Sequence, residues 1–287
     1  MLAFALAALS AVLFGAMAVA IRAAFGPRTD PEAVALATTV GALAVCVVFA
    51  APFVGGLSWH GIWPFLVAGL VAPGLSQVLF VRAVATIGAS RSAILIGVSP
   101  LLSALFAITL LGEPLRAGLV LGTIAVVGGG LALVTSRSAA ARLTALGAGA
   151  GVVAAALISA RDNFVRWADT GNDVPGVVAA AALLVSATAF IAAILLVDQR
   201  PLFPPPVRET WRPLALASLL FGLAYAAVFV AFDHGRVTIV APLYATESLW
   251  AVVWSALVLR RAEGVGPRLV LAAALMVAGG VLIGVSR

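Results

Sequence analysis

The chain has 287 residues, 63% of them hydrophobic and 10% charged, with a formal net charge of +6. A soluble domain carries about 25% charged residues, so this composition excludes an ordinary soluble domain and predicts a membrane protein with several spans. All 17 basic residues are arginine. The absence of lysine excludes a Walker-type phosphate loop and Schiff-base chemistry.

The residues that hold metals or form disulfides are scarce. Cys46 is the single cysteine, and the two histidines, His60 and His234, are far apart in sequence. We therefore expect no intramolecular disulfide, no metal site and no cofactor. Most arginines fall between apolar runs, which indicates charges that orient the protein in a bilayer rather than a nucleic-acid surface. The N-terminal apolar run is long enough to be a first span rather than a cleaved signal peptide.

Taken in chain order, glycine, proline and charged residues divide the sequence into ten apolar segments of about the length that a bilayer span needs. The predicted spans are 2–24, 32–54, 62–84, 90–111, 115–135, 144–167, 175–197, 213–234, 237–259 and 266–285. Most connections are short, and the longest is the proline-rich loop Asp198–Pro213. The sequence therefore predicts an all-α integral membrane protein with ten transmembrane helices.

An offset of 150 residues exposes an internal repeat. Glu113–Arg137 aligns with Glu263–Arg287 without a gap, and nine of the 25 positions are identical. The alignment predicts a duplication, with one unit at residues 1–137 and a second at 143–287. Because each unit has five helices, an odd number, the second unit enters the membrane from the opposite side. Such inverted repeats are typical of secondary transporters, whose substrate sites lie near the midplane between the repeats.

Three segments resemble the EamA-type transporters of the drug/metabolite transporter superfamily. They are PLLSALFAITLLGEPLRAGLVLGTIAVVGGG (Pro100–Gly130), LWAVVWSALVLRRAEGVGPRLVLAAALMVAGG (Leu249–Gly280) and FVRAVATIGASRSAIL (Phe80–Leu95). The resemblance implies two inverted five-helix repeats around a central cavity, lined by the first, third, fourth, sixth, eighth and ninth spans. The fifth and tenth spans would pack outside. The second copy departs from the first by having Trp250 in place of Pro100.

Glu247 is the most informative single residue, because it falls in the middle of the ninth span. A charged group at mid-bilayer costs at least about 2.5–3.5 kcal/mol, so it must face protein or water and is a functional candidate. At helical spacing, Tyr244, Glu247, Ala251 and Trp254 share one face. Two aromatic rings beside one carboxylate suit a small amphipathic solute. The alternative is a Glu247 that braces a neighbouring helix.

The remaining candidates are polar residues in the cavity-lining spans that the resemblance implies. We expect Gln77, Ser99, Ser103, Tyr225, Tyr244, Glu247 and Trp254 to bind substrate. Asp162 is a second candidate for coupling beside Glu247. It can pair with Arg166 at i,i+4, with Arg161 projecting elsewhere, although this cluster could instead lie at the headgroups.

Glu113 and Glu263 each precede an apolar run. A carboxylate in the first turn of a helix complements the helix dipole. Capping is therefore the preferred interpretation of both residues.

These observations predict a secondary transporter that exports small organic metabolites across a bacterial inner membrane by alternating access. Amino acids are the preferred substrates, because EamA-type proteins similar to this chain often export them. The alternatives are proton-coupled multidrug efflux through Glu247 and, in another class, a structural membrane subunit. An enzyme is not expected, because the spans lack a nucleophile–base pair or a metal set. The expected partners are a small-molecule substrate and the lipid bilayer, and a monomer is one possible oligomeric state.

The membrane orientation is predicted in two opposite ways. Connections after odd-numbered spans carry twelve arginines and the other side carries five. The positive-inside rule would therefore place both termini outside. The family resemblance implies that both termini are cytoplasmic, and this second orientation is the one we prefer.

Overall fold

The computed structural model describes residues 1–55, 58–99, 101–102, 117–134, 144–169, 174–234, 240, 243–244, 246–259 and 266–285. Regular structure in these residues is helical throughout. In the first half of the chain the helices are α1 (Leu2–Ala23), α2 (Pro31–Ala50), α3 (Trp59–Gly69), α4 (Ser76–Ile87), α5 (Ala89–Ile96) and α6 (Ala117–Val134). In the second half they are α7 (Ala145–Asp169), α8 (Gly176–Val197), α9 (Pro205–Glu209), α10 (Trp211–His234), α11 (Glu247–Trp254) and α12 (Pro267–Val285).

Six helical segments in the described part of the chain are long and apolar enough to cross a bilayer. A bilayer core offers no water to backbone N–H and C=O groups, so helices that satisfy these groups internally are the expected form. Trp59 and Trp211, at predicted span boundaries, are 68% and 61% exposed, as expected of headgroup-level rings. The protein is a multi-pass membrane protein, and the regular structure that its described residues form is helical.

The third predicted span is interrupted near its centre. A π-helical turn, Leu70–Leu75, separates α3 from α4, and Ala72 within it has the extended dihedrals φ −146° and ψ 122°. Pro73 follows Ala72 and has no N–H to donate to the preceding turn, which accounts for a break at this point. Such a break is tolerated where the freed backbone faces protein or a cavity.

The predicted proline-rich loop contains one short helix. Prolines open α9, where a fixed φ suits the first helical turn and no N–H is needed. Val207 in this helix is buried, so the helix packs against the bundle, chiefly on α10 and α2.

Two glycines let α1 and α10 approach their neighbours closely. A Cβ at Gly15 would lie 2.6 Å from the backbone nitrogen of Ala251, so only glycine permits this contact of α1 with α11. A Cβ at Gly222 of α10 would lie 2.9 Å from the carbonyl oxygen of Ala42 in α2. Small residues of this kind are the usual means of close helix packing in membranes. α6 packs mainly along α12, away from the centre of the bundle.

A cluster of charged residues joins three segments at one end of the bundle. Glu32 in the first turn of α2 is 3% exposed and forms an ion pair with Arg82 of α4. Its other oxygen accepts a hydrogen bond from Arg200 Nη2 at 2.8 Å. Arg200 also pairs with Asp30, whose carboxylate caps α2. The hydrogen bond that Arg200 donates to Glu32 raises the pKa of the Arg200 guanidinium, and Asp30 adds to the effect, so this cation stays charged.

We expect Glu32→Gln to lower the melting temperature of the detergent-purified protein by several degrees. The change removes the buried carboxylate that Arg82 and Arg200 share, and a hydrogen bond to a charged group is worth roughly 1.5–3 kcal/mol. Glu209→Gln is the matched control, because Glu209 is exposed at the end of α9. Tryptophan fluorescence measures the melting temperatures. Equal values for the two variants would contradict a stabilising role for the cluster.

Candidate functional site

A cavity lies among the central parts of the helices. It has a volume of about 600 Å³ including its open part, and it is lined by residues of α1, the π-helical turn, α4, α5, α7, α10 and the Tyr244–Glu247 region. These elements correspond to the six spans that the family resemblance implies as cavity-lining. Its polar lining residues are Ser76, Gln77, Arg161, Tyr225, Tyr244 and Glu247.

Aromatic rings form one wall of this cavity. The ring of Phe14 in α1 lies 5.9 Å from that of Tyr225 and 6.3 Å from that of Tyr244, measured between centroids. Phe221 packs edge-on against Tyr225 at 5.0 Å. Edge and tilted ring pairs at these distances are favourable, so the wall is preorganised and offers apolar surface to a solute.

Glu247 lines the cavity as the first residue of α11. Its carboxylate makes no hydrogen bond or ion pair to any residue in the described part of the chain. Tyr244 lines the same cavity one turn earlier in sequence. The structure therefore brings the predicted carboxylate and one of its two predicted aromatic neighbours to a single space.

Arg161 brings a positive charge to the same cavity. Its side chain is 8% exposed, and its Nη1 donates a hydrogen bond to the hydroxyl of Tyr225 at 2.8 Å. Its guanidinium carbon lies 5.7 Å from the ring centroid of Tyr225 and 6.0 Å from that of Phe229. These distances are typical of cation–π contacts. Arg161 therefore ties α7 to α10 while facing the cavity.

The prediction that Arg161 projects away from Asp162 is wrong. Arg161 Nε lies 2.7 Å from Asp162 Oδ1. The side chain of Arg166, the predicted partner, lies outside the described residues. Asp162 is itself 35% exposed and is not part of the cavity lining among the described residues.

The other predicted site residues divide into three groups. Gln77 lines the cavity and donates from Nε2 to Thr38 Oγ1 at 3.4 Å. Ser99 is buried behind the lining, where its Oγ donates to the Ile96 carbonyl at 2.5 Å. Ser103 lies outside the described residues, and so do Glu113 and Glu263, for which helix capping is the prediction.

Trp254, a predicted substrate-binding residue, contacts α1. Its indole Nε1 donates to the carbonyl of Val12 at 3.2 Å, so it fastens the end of α11 to α1. It is not part of the cavity lining in the described part of the chain. Trp254 lies about two helical turns beyond Glu247, where the shared face contacts α1 instead of the cavity.

Sequence reasoning missed Arg161 and the phenylalanines Phe14 and Phe221 as lining residues. A signal for Phe221 existed, because Phe221, Tyr225 and Phe229 recur at i,i+4,i+8 in α10. No comparable pattern marks Phe14 in its apolar helix. Among the described residues no group of three or more His, Cys, Asp or Glu side chains could hold a metal ion.

The sequence profile of the EamA-like transporter family matches residues 1–135 and again residues 143–285. The chain belongs to the EamA-like transporter family. It is therefore a membrane transporter of the drug/metabolite transporter superfamily. No curated protein sequence matches the chain.

Comparison with solved structures supports the fold. One crystal structure, described only as that of a protein, is similar with a TM-score of 0.70 and 20% sequence identity. The match covers 98% of this EamA-like chain and 95% of the other. At this identity the likeness concerns the arrangement of the helices alone.

The shared cavity predicts a pattern of thiol reactivity. In a Cys46→Ala background, we expect Gln77→Cys and Tyr244→Cys to react with a small charged methanethiosulfonate reagent, because the reactive thiolate forms only where water enters. Trp254→Cys is the matched control and should stay unmodified, since this side chain packs against α1. Mass spectrometry of the labelled protein measures the outcome. Labelling of Trp254→Cys with sparing of the other two would contradict the assigned cavity.

Proposed function

We propose that this EamA-like protein is a secondary transporter that exports small organic metabolites, above all amino acids, across a bacterial inner membrane. The observation that carries the proposal is the cavity in which the Glu247 carboxylate lies beside an aromatic wall. A carboxylate that forms no ion pair with any described residue is suited to bind an ammonium group. The rings of Phe14 and Tyr244 offer apolar and cation–π surface to the rest of the solute.

Alternating access is the proposed mechanism, and it rests on a proposed ten-span inverted repeat. Two matches of the family profile, to 1–135 and 143–285, support two equivalent units. The break at Leu70–Leu75 beside the cavity supports it further, because discontinuous helices form midplane sites in such transporters. In this proposal each half rocks against the other, and the cavity opens to one side of the membrane at a time.

A second candidate function, proton-coupled efflux of organic cations, is favoured by the same carboxylate. An aromatic-lined cavity with Glu247 would also hold an amphipathic drug. In either function a proton and a cationic group would compete for Glu247, since one carboxylate can hold only one of them at a time. That competition could couple proton movement to solute movement.

Glu247→Gln tests the carboxylate directly. We expect the variant to fold, because glutamine keeps the shape of the side chain. We expect the dissociation constant for ammonium-bearing substrates to rise about tenfold or more, since a hydrogen bond to a charged group is worth about 1.5–3 kcal/mol. In proteoliposomes it should also lose the acceleration of transport by a pH gradient.

Glu209→Gln, at the surface end of α9, is the matched control for these measurements. A panel of amino acids and lipophilic cations, assayed by thermal stabilisation, separates the two candidate functions. If the Gln variant transports at the wild-type rate and the wild type ignores the pH gradient, Glu247 only braces its helix and the proposal for its role fails.

The proposed orientation places both termini in the cytoplasm. Fusion of a fluorescent protein, which matures only in the cytoplasm, to the C-terminus after Arg287 should give fluorescent cells. A fusion of periplasmic alkaline phosphatase at the same point should be inactive. The reverse pair of results would support the orientation that the arginine count predicts.

A further inference from the structure

Arg161 has hydrogen-bond donors that are not matched by acceptors among the described residues. A guanidinium carries five N–H donors. Its Nη1 donates to Tyr225, but its buried Nε makes no hydrogen bond among the described residues despite its closeness to Asp162. Nη2 likewise makes no hydrogen bond to any described residue. A side chain that is 8% exposed, lines a cavity and has unused donors is a site for an acceptor group.

Asp162 neutralises this guanidinium imperfectly. Adjacent residues of an α-helix project about 100° apart, so Asp162 reaches Nε from the side, and its contact is an ion pair without good hydrogen-bond geometry. Carboxylates bind arginine best through two parallel hydrogen bonds to one edge of the fork. A carboxylate that enters from the cavity could form that arrangement with Arg161, whereas Asp162 does not form it.

The cavity therefore presents two complementary charges from different helices. Arg161 belongs to α7 and Glu247 to α11, and both line the same space. The aromatic wall of Phe14 and Phe221 lies in that space as well. An α-amino acid with an apolar side chain matches all three features, with its carboxylate on Arg161, its ammonium on Glu247 and its side chain on the wall.

We propose that Arg161 is the carboxylate-binding residue of the cavity. Asp162 neutralises the positive charge of Arg161 until a substrate carboxylate takes the place of the Asp162 carboxylate. This inference rests on the proposed transport function and narrows its substrate to zwitterions. An amine without a carboxylate leaves the Arg161–Asp162 pair undisturbed and gains nothing from Arg161. Asp162 acts as an internal competitor, which keeps the buried cation compensated when the cavity holds no substrate.

The test compares an amino acid with its decarboxylated analogue. Binding of leucine and 3-methylbutylamine, and of phenylalanine and 2-phenylethylamine, is measured by isothermal titration calorimetry on the full-length protein in detergent. The wild type should bind each amino acid about tenfold or more tightly than its amine. This ratio of dissociation constants corresponds to the free energy of a hydrogen bond to a charged group. Arg161→Gln should reduce that preference about tenfold. Arg161→Lys should restore it only in part, because lysine lacks the fork.

Asp162→Asn provides an independent test, in which the direction of the change in affinity decides the outcome. Removal of the competitor should make amino acids bind several-fold more tightly and leave the affinity for the amines comparatively unaffected. If Asp162 instead only positions Arg161, the same variant should bind amino acids more weakly, and that result would overturn the proposal. Because asparagine is isosteric with aspartate, the test stays informative even if Arg161→Gln fails to fold.

The remaining outcomes distinguish failure of this inference from failure of the proposed transport function. Equal binding of amino acid and amine by the wild type would remove the carboxylate site and leave transport of amines standing. A uniform loss of both ligands in folded Arg161→Gln would assign Arg161 to bracing α10 through Tyr225. Binding of neither ligand by the wild type would defeat amino-acid transport itself, and the inference with it.

Discussion

The cost of leaving a polar or charged group unpaired in an apolar medium is the constraint on which the rest of this structure depends. It makes every described regular segment helical. It also collects the Glu32, Arg82 and Arg200 charges at one end of the bundle. Charges that remain in the middle must then face one another or a cavity, and Arg161 and Glu247 do so.

Close packing determines which faces of the helices those charges occupy. Gly15 brings the backbone of α1 against α11, and Gly222 brings α10 against α2. Trp254 of α11 then donates to the Val12 carbonyl of α1, and Ser10 of α1 donates to the Ala224 carbonyl of α10. With α1 held between α10 and α11, the side chains of Phe14, Tyr225 and Tyr244 meet at the cavity. The aromatic wall is thus a consequence of where small residues permit close approach.

The site combines rigid and uncommitted groups, which suits a transporter. Tyr225 is held by Arg161 and by the neighbouring rings, so its position is well determined. Within the described part of the chain, Glu247 makes no hydrogen bond or ion pair. The Nε–H group of Arg161 makes no hydrogen bond there either. A solute that satisfies these groups gains binding energy without displacing the packed wall. The broken segment beside the cavity, Leu70–Leu75, is where the wall itself is least regular.

The sequence by itself determined the membrane class, the positions of most spans and the family, because hydropathy acts locally along the chain. It also marked Glu247 as a candidate, because a buried charge is costly wherever it lies. It also indicated Gln77, Tyr225 and Tyr244, which the structure places in one cavity. Only the tertiary structure decided that Arg161 faces the cavity, that Trp254 bonds to α1, and that Glu32 meets Arg82 and Arg200. Those outcomes depend on the rotation of each helix about its axis. That rotation is set by contacts between residues far apart in sequence, and helical periodicity alone does not specify which face meets which neighbour.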